Sequence, residues 1–281
     1  MNVKPQLAKS HKDCTANVWE KPKWCSKKLD GVRCMMKYDS ELKIIKTISR
    51  GGDNYDVSLS HIIENEELLN LFNDYPDIIL DGEIYVHGWP LQRISGTARL
   101  KTHNDRCDLL EYWIYDIGDD KKSFSQRLDF LNMELPDYFS ENSKIKIVEH
   151  KLLKGYFEIK KYHDLWVSEG FEGLVARNPD KNYSFGKRNS DWIKFKEYKS
   201  DEFEITGISE GLRDEDMCFT LIAKNGKPFK AKPVGDRELK AEYLKNYTNY
   251  IGMMGTVNYF SLSEDGVPMQ PTFKSIRPDG E

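Results

Sequence analysis

Apolar positions in the first two hundred residues recur at two periods. In SLSHIIENEELLNLF (58–72) they fall at helical spacing behind a serine that can cap the helix, and SQRLDFLNMEL (125–135) repeats that spacing. HKLLKGYFEIKKYHDLWVSEG (150–170) reads as another helix, ended by Gly170. CMMKYD (34–39) and LKIIKTIS (42–49) read instead as a hairpin joined by Ser40 and Glu41. DIILDGEIYV (77–86), LLEYWIYDIG (109–118), GLVAR (173–177) and SDWIKFKEY (190–198) read as further strands. Strands and helices in this irregular order predict an α+β domain of antiparallel sheets with flanking helices.

After Lys199 the texture changes. DEFEITGISEG, MCFTLIAKNGKPFKAKPVG and MMGTVNYFSL alternate as strands, with NG and EDG turn signals and one helical stretch, DRELKAEYLKNY (236–247). About five short strands and one helix predict a small Greek-key barrel of the OB-fold kind. The chain is therefore expected to hold two domains, 1–200 and 201–281.

Composition narrows the class. With 281 residues and 39% hydrophobic content the chain can fill real cores. The N-terminal stretch has lysines but no apolar segment behind them, and no eighteen apolar residues run together, so neither secretion nor membrane spanning is expected and an intracellular setting is. The five cysteines include no C-x-x-C pair, and neither they nor the six histidines fall at zinc-ligand spacing; reduced thiols are expected. A net charge of −4 counts against a protein that coats nucleic acid nonspecifically. The charge is unevenly spread, however: positions 1–33 hold eight Lys and Arg against three acids.

One short stretch raises a question of chemistry. KLDGVR (28–33) places a lysine beside an Asp-Gly turn and an arginine, a weak signal alone. It is followed in order by SRGG (49–52), by LDGEIYV (80–86) with Asp81 and Glu83 on one face of a strand, by WIYD (113–116), by FEGLVAR (171–177) and by WIKFK (192–196) with Lys194 and Lys196 on one face. Six such segments in order are hard to obtain by chance.

Together they resemble the covalent lysyl nucleotidyltransferases and, within these, the ATP-dependent DNA ligases. YSFGKRNSDWIKFK (183–196) and the closing NYFSLSEDGVPMQPTFKSIRPD (258–279) extend the resemblance over nearly the whole chain. The arginine ending KLDGVR favours DNA ligases over RNA ligases; RNA ligation and messenger-RNA capping by a guanylyltransferase are the alternatives. The resemblance implies an ATP-grasp-like adenylyltransferase domain, ATP as substrate, Mg²⁺ as metal with Mn²⁺ able to substitute, and nicked duplex DNA as partner of a monomer. Such enzymes serve DNA repair, replication and recombination. With twenty-seven residues before Lys28, the chain resembles the catalytic core alone.

By the same resemblance Lys28 is the nucleophile that carries AMP, Arg33 contacts the ribose side, Glu83 and Glu172 hold the metal, Tyr115 stacks on adenine and Arg50 binds the 5′-phosphate. Lys194, Lys196 and Arg188 are assigned to phosphates. Asp81 is a further ligand or a plain turn residue, Tyr115 is alternatively core, and Arg277 and Asp279 either orient the pyrophosphate or form an exposed tail. QRISGTARLK (92–101) and the four lysines of LIAKNGKPFKAK (221–232) are candidates for DNA backbone contact. An amine attacks phosphorus only when neutral, and a free lysine with pKa about 10.4 is neutral in about one molecule per thousand at pH 7. The site is therefore expected to lower that pKa by burial and neighbouring positive charge.

Overall fold

A computed structural model describes residues 3–209, 216–263 and 265–277. The chain divides into two compact units, Met1–Lys196 and Glu197–Glu281.

The first unit runs through β1 (Leu7–Ser10), β2 (Lys23–Lys28), β3 (Val32–Asp39), β4 (Ile44–Ser49), α1 (Ser60–Ile63), α2 (Glu66–Asp74) and β5 (Ile79–Tyr85). It continues with α3 (Leu91–Ala98), β6 (Glu111–Ile117), α4 (Phe124–Met133), β7 (Ile145–Ile147), β8 (His150–Leu153), α5 (Gly155–Ser168), β9 (Gly173–Arg177) and β10 (Arg188–Phe195). These strands build two five-stranded sheets, ordered β1-β10-β9-β2-β8 and β4-β3-β5-β6-β7. Most neighbours are antiparallel; β1 with β10 and β6 with β7 are parallel.

Leu68, Leu71 and Phe72 of α2, Ile94 of α3 and Leu128 and Leu131 of α4 join Met36, Leu80, Ile84, Tyr112 and Ile114 of the second sheet in one apolar core. Val175 and Trp192 of the first sheet belong to that same core, so the two sheets meet there. A separate core on the first sheet packs Cys25, Leu174, Ala176, Ile193 and Phe195 against Ile159 and Trp166 of α5.

The second unit holds β11 (Lys199–Ser209), β12 (Cys218–Ile222), β13 (Pro228–Pro233), α6 (Arg237–Lys245), β14 (Met254–Tyr259) and β15 (Thr272–Ile276). Its strands close into a barrel in the order β11-β12-β13-β15-β14, filled by Phe203, Ile205, Phe219, Leu221, Val257 and Phe273.

Three elements differ from the sequence expectation. The helix expected over 58–72 is two helices, because the side chain of Asn65 accepts from the backbone N–H of Glu67 and starts α2 afresh. The first residues of the helix expected over 150–170 form β8, which pairs with β2; Gly155, at φ +79°, then turns the chain into α5. The polar segment KWCSKK carried no strand signal, yet as β2 it lies between β8 and β9 with Cys25 and Ser26 fully buried.

Candidate active site

Lys28 ends β2 in register with Gly173, and the backbone N–H of Glu172 donates to the Lys28 carbonyl at 2.9 Å. The approach needs glycine next to Glu172. Gly173 has φ +151°, and a Cβ there would lie 2.5 Å from the Phe195 carbonyl oxygen. Glu172 is thereby fixed beside the nucleophile candidate. Its carboxylate accepts a hydrogen bond from the Lys28 amine and another, at 2.5 Å, from Lys196. Glu172 and Lys196 are both buried. Lys194, paired with Val175 across the β9–β10 ladder, is half-buried and has no ion-pair partner among the described residues.

Three lysines around one carboxylate set the electrostatics. Burial pushes the Lys28 amine down, but the charges of Glu172 and Glu83, the hydrogen bond to Glu172 and the charge of Asp30 outweigh it, and the amine is held above the ordinary lysine value. Burial works against ionised Glu172, yet Lys28 and Lys196 hold it below the usual carboxylate range. Lys194 is lowered, by burial first and then by the like charges of Lys196, Lys28 and Arg188. The expected depression is thus found at Lys194 and reversed at Lys28, because Glu172 stands in direct contact with the Lys28 ammonium.

Glu83 comes from the other sheet. Gly31, in the turn after Lys28, packs so tightly on β5 that a Cβ there would lie 2.3 Å from the Ile84 carbonyl oxygen and 2.7 Å from Cγ of Glu83. The Asp-Gly of the KLDGVR segment is therefore what lets Glu83 approach Lys28. Burial raises the Glu83 carboxyl to about 8; Lys28 and Arg33 pull it down by less, and Glu172 and Asp81 add to the rise. The Tyr115 hydroxyl donates to Glu83 at 3.3 Å. Tyr115 is the extra residue of a β-bulge, since Gly82 pairs with Ile114 and Asp81 with Asp116. Its ring is buried, with the Arg33 and Arg177 guanidinium groups 5.7 and 5.2 Å from its centre.

Arg33 and Asp81 form a bidentate pair. Nε of Arg33 donates to Oδ1 of Asp81 at 2.9 Å and Nη2 donates to Oδ2, while Nη1 donates to the Gln6 carbonyl at 2.6 Å. Tyr183 donates its hydroxyl to Asp81 at 2.6 Å, and the guanidinium lies 4.5 Å from the Trp192 ring centre. Asp81 is fully buried and stands in an extended strand, which removes the turn reading.

The remaining expected residues are more scattered. Arg50 is exposed in the turn after β4, where Gly52 donates to the Ser49 carbonyl at 3.1 Å. Arg188 is exposed and donates to the Ala8 carbonyl, near enough for its charge to act on Lys194. Arg277, in the second unit, pairs with Glu202 at 2.8 Å; Asp279 lies outside the described residues. In 92–101, Arg93 stacks on Trp89 at 3.7 Å. Of the four lysines around the β12–β13 turn, Lys224, Lys227 and Lys232 pair with Asp201, Asp265 and Asp216, so that surface is largely charge-compensated.

The family model for the ATP dependent DNA ligase domain matches residues 5–196, the unit that holds this site. The chain belongs to the ATP-dependent DNA ligase family. A DNA ligase of African swine fever virus is 27% identical over 262 residues, which cover 87% of this chain and 61% of the viral protein. The chain thus spans less than two thirds of the length of that relative. Among solved structures, a Lig E DNA ligase superposes with TM-score 0.72 at 19% identity, covering 98% of this chain and 99% of the other. The ATP-dependent DNA ligase of bacteriophage T7, solved in complex with ATP, gives 0.58 at 20% identity with 98% of each chain covered. At these identities the structural likenesses establish a shared fold.

Within the ligase-family unit, sequence reasoning missed Arg177. This last residue of FEGLVAR is buried, 4.3 Å from the Trp192 ring centre and 3.3 Å from the Asp116 carboxylate, and none of its three guanidinium nitrogens has a well-aligned hydrogen-bond partner among the described residues. Burial pulls its pKa down. Strict alternation along GLVAR, which sets Arg177 on the same face as Val175, was the available signal. Tyr183 and Trp192, which brace Arg33, lie in YSFGKRNSDWIKFK as aromatics whose partner only the fold reveals.

Proposed function

We propose that the chain is an ATP-dependent DNA ligase that seals nicks in duplex DNA, with residues 1–200 as the adenylyltransferase domain and residues 201–281 as an OB-fold domain. The observation that carries this reading is the Lys28–Glu172–Lys196 cluster: a lysine at a strand end held by a buried carboxylate, with two further lysines ready for phosphate. The barrel order supports the OB-fold assignment.

The chemistry follows from these groups. Once positive charge gathered at the triphosphate offsets Glu172, Lys28 loses its proton to solvent and its neutral Nζ attacks the α-phosphorus of ATP; an N–P bond forms, the α–β P–O bond breaks and pyrophosphate leaves. An oxygen of the DNA 5′-phosphate then takes the adenylyl group and regenerates the Lys28 amine. The 3′-hydroxyl finally attacks the activated 5′-phosphorus and AMP departs. Lys194 and Lys196 neutralise α-phosphate charge, Arg50 receives the 5′-phosphate, and Arg188 adds a phosphate contact. Tyr115 lines the adenine side, with Arg33 and Asp81 bracing it. Arg277, with Asp279, is assigned to pyrophosphate orientation.

Glu83 and Glu172 are oxygen donors beside the nucleophile, the donor type that Mg²⁺ or Mn²⁺ requires, and the Glu83 carboxyl raised to about 8 fits a site built to be completed by positive charge. When bound, the ion neutralises phosphate charge and polarises the reacting phosphorus.

The test is incubation with α-labelled ATP and Mg²⁺, followed by nick sealing on a defined duplex. Wild type should become labelled and join the strand. Equal labelling of Lys28→Ala would overturn the assignment of the nucleophile, and labelling without joining of nicked DNA would overturn the substrate.

A further inference from the structure

The short spacings that mark zinc motifs are absent from the sequence, but the fold assembles metal ligands from distant positions. His61 lies on α1, and His103 and Asp108 lie on the segment joining α3 to β6. One ligand atom from each of the three falls within 4.8 Å of the others. A tetrahedral ion with bonds of about 2.0–2.2 Å holds its ligands about 3.3–3.5 Å apart, so small side-chain rotations close this triad on a metal.

The outer hydrogen bonds fix both rings for that task. Nε2 of His61 faces the Leu110 carbonyl at 3.1 Å, an acceptor, so Nε2 carries the hydrogen and Nδ1 presents its lone pair. That Nδ1 is buried and has no hydrogen-bond partner among the described residues. Nδ1 of His103 faces the Val57 carbonyl at 3.2 Å, and its Nε2 faces Oδ1 of Asp108 at 2.8 Å. The Ser60 hydroxyl also lies 3.1 Å from that Nδ1. With Nδ1–H donated to the Val57 carbonyl, Nε2 turns its lone pair toward the Asp108 carboxylate, and a cation between them satisfies both. Backbone carbonyls holding the far nitrogen of each histidine are the usual outer support of histidine metal ligands.

We propose that His61, His103 and Asp108 bind one Zn²⁺ ion, with water in the fourth position, separately from the site at Lys28. Two imidazoles and one carboxylate select a borderline transition ion over Mg²⁺. The ion ties the α3–β6 segment to α1.

The test is calorimetric titration of the chelator-treated full chain with Zn²⁺ alone, followed by Co²⁺ substitution. One saturable site per chain is expected, with a Co²⁺ visible spectrum free of a thiolate charge-transfer band and a rise in melting temperature. His61→Gln, and separately His103→Gln or Asp108→Asn, should weaken binding by about tenfold or more. His103 and Asp108 are partly exposed, so their variants decide the matter if His61→Gln fails to fold. Wild-type affinity in folded His103→Gln and Asp108→Asn, a thiolate band from the five cysteines, or no saturable Zn²⁺ binding would each overturn the site. Labelling of Lys28 by ATP should persist in His103→Gln.

Discussion

The amine of Lys28 donates to the carboxylate of Glu172, 144 residues further along the chain. That contact holds Lys28 as an ammonium, so the group that must lose a proton is stabilised in its protonated form. Glu172→Gln should weaken that hold, leaving burial to lower the amine against the charges of Glu83 and Asp30. Amine acylation of Lys28 at pH 8, followed by peptide mass spectrometry, should run several-fold faster in the variant. A rate equal to wild type would show that Glu172 does not control the amine.

The Arg33–Asp81 pair joins a fully buried carboxylate to a partly buried guanidinium. Asp81→Ala strands the guanidinium and should cost about 3–5 kcal/mol in urea unfolding, whereas Arg33→Met with Asp81→Leu should recover much of that loss. A cost below about 1 kcal/mol for Asp81→Ala would mean that water reaches the guanidinium freely.

Burial, reinforced by Arg177, lowers His150 from 6.5 to about 3. Its folded form stays neutral while the unfolded chain takes up a proton below pH 6.5, so stability should fall as the pH drops from 6.5 toward 3. At pH 5 the expected loss is about 2 kcal/mol. Urea midpoints at pH 7 and pH 5 should converge for His150→Gln relative to wild type; an unchanged slope would remove His150 as the cause.

Two glycines should respond oppositely to alanine. At Gly31 the new methyl meets the Ile84 carbonyl and Glu83, and a loss of about 1–3 kcal/mol is expected together with slower adenylylation. At Gly96, inside α3, an ideal Cβ meets nothing within 4 Å, and a gain of about 0.5–1 kcal/mol is expected. Thermal unfolding of the two variants gives both signs directly.

The strands around the candidate site were legible as short, largely buried apolar runs bounded by turn residues: Ile79–Tyr85, Glu111–Ile117 and Gly173–Arg177. Local signals failed where tertiary packing decides. Lys23–Lys28 looks polar, but Lys23, Cys25 and Ser26 are buried between two neighbouring strands. His150–Leu153 shares apolar spacing with the helix behind it, and only pairing to β2 makes it a strand. The residue types around Lys28 were recoverable from motif order, whereas the upward shift of its pKa was not. That shift depends on how closely Glu172 approaches, which the Gly173 backbone sets.

The register of Lys28 with Gly173 also bears on when the site can exist. β2 has β8 and β9 as its sheet neighbours, and both are synthesised more than a hundred residues after it. Contacts of such long sequence separation form late and slowly. A ribosome-bound chain that has not yet emerged past Glu172 therefore displays the KLDGVR segment without the carboxylate that holds the Lys28 amine. The pairing of β2 with β9 that sets Glu172 against the Lys28 amine thus exists only in a chain grown through both strands.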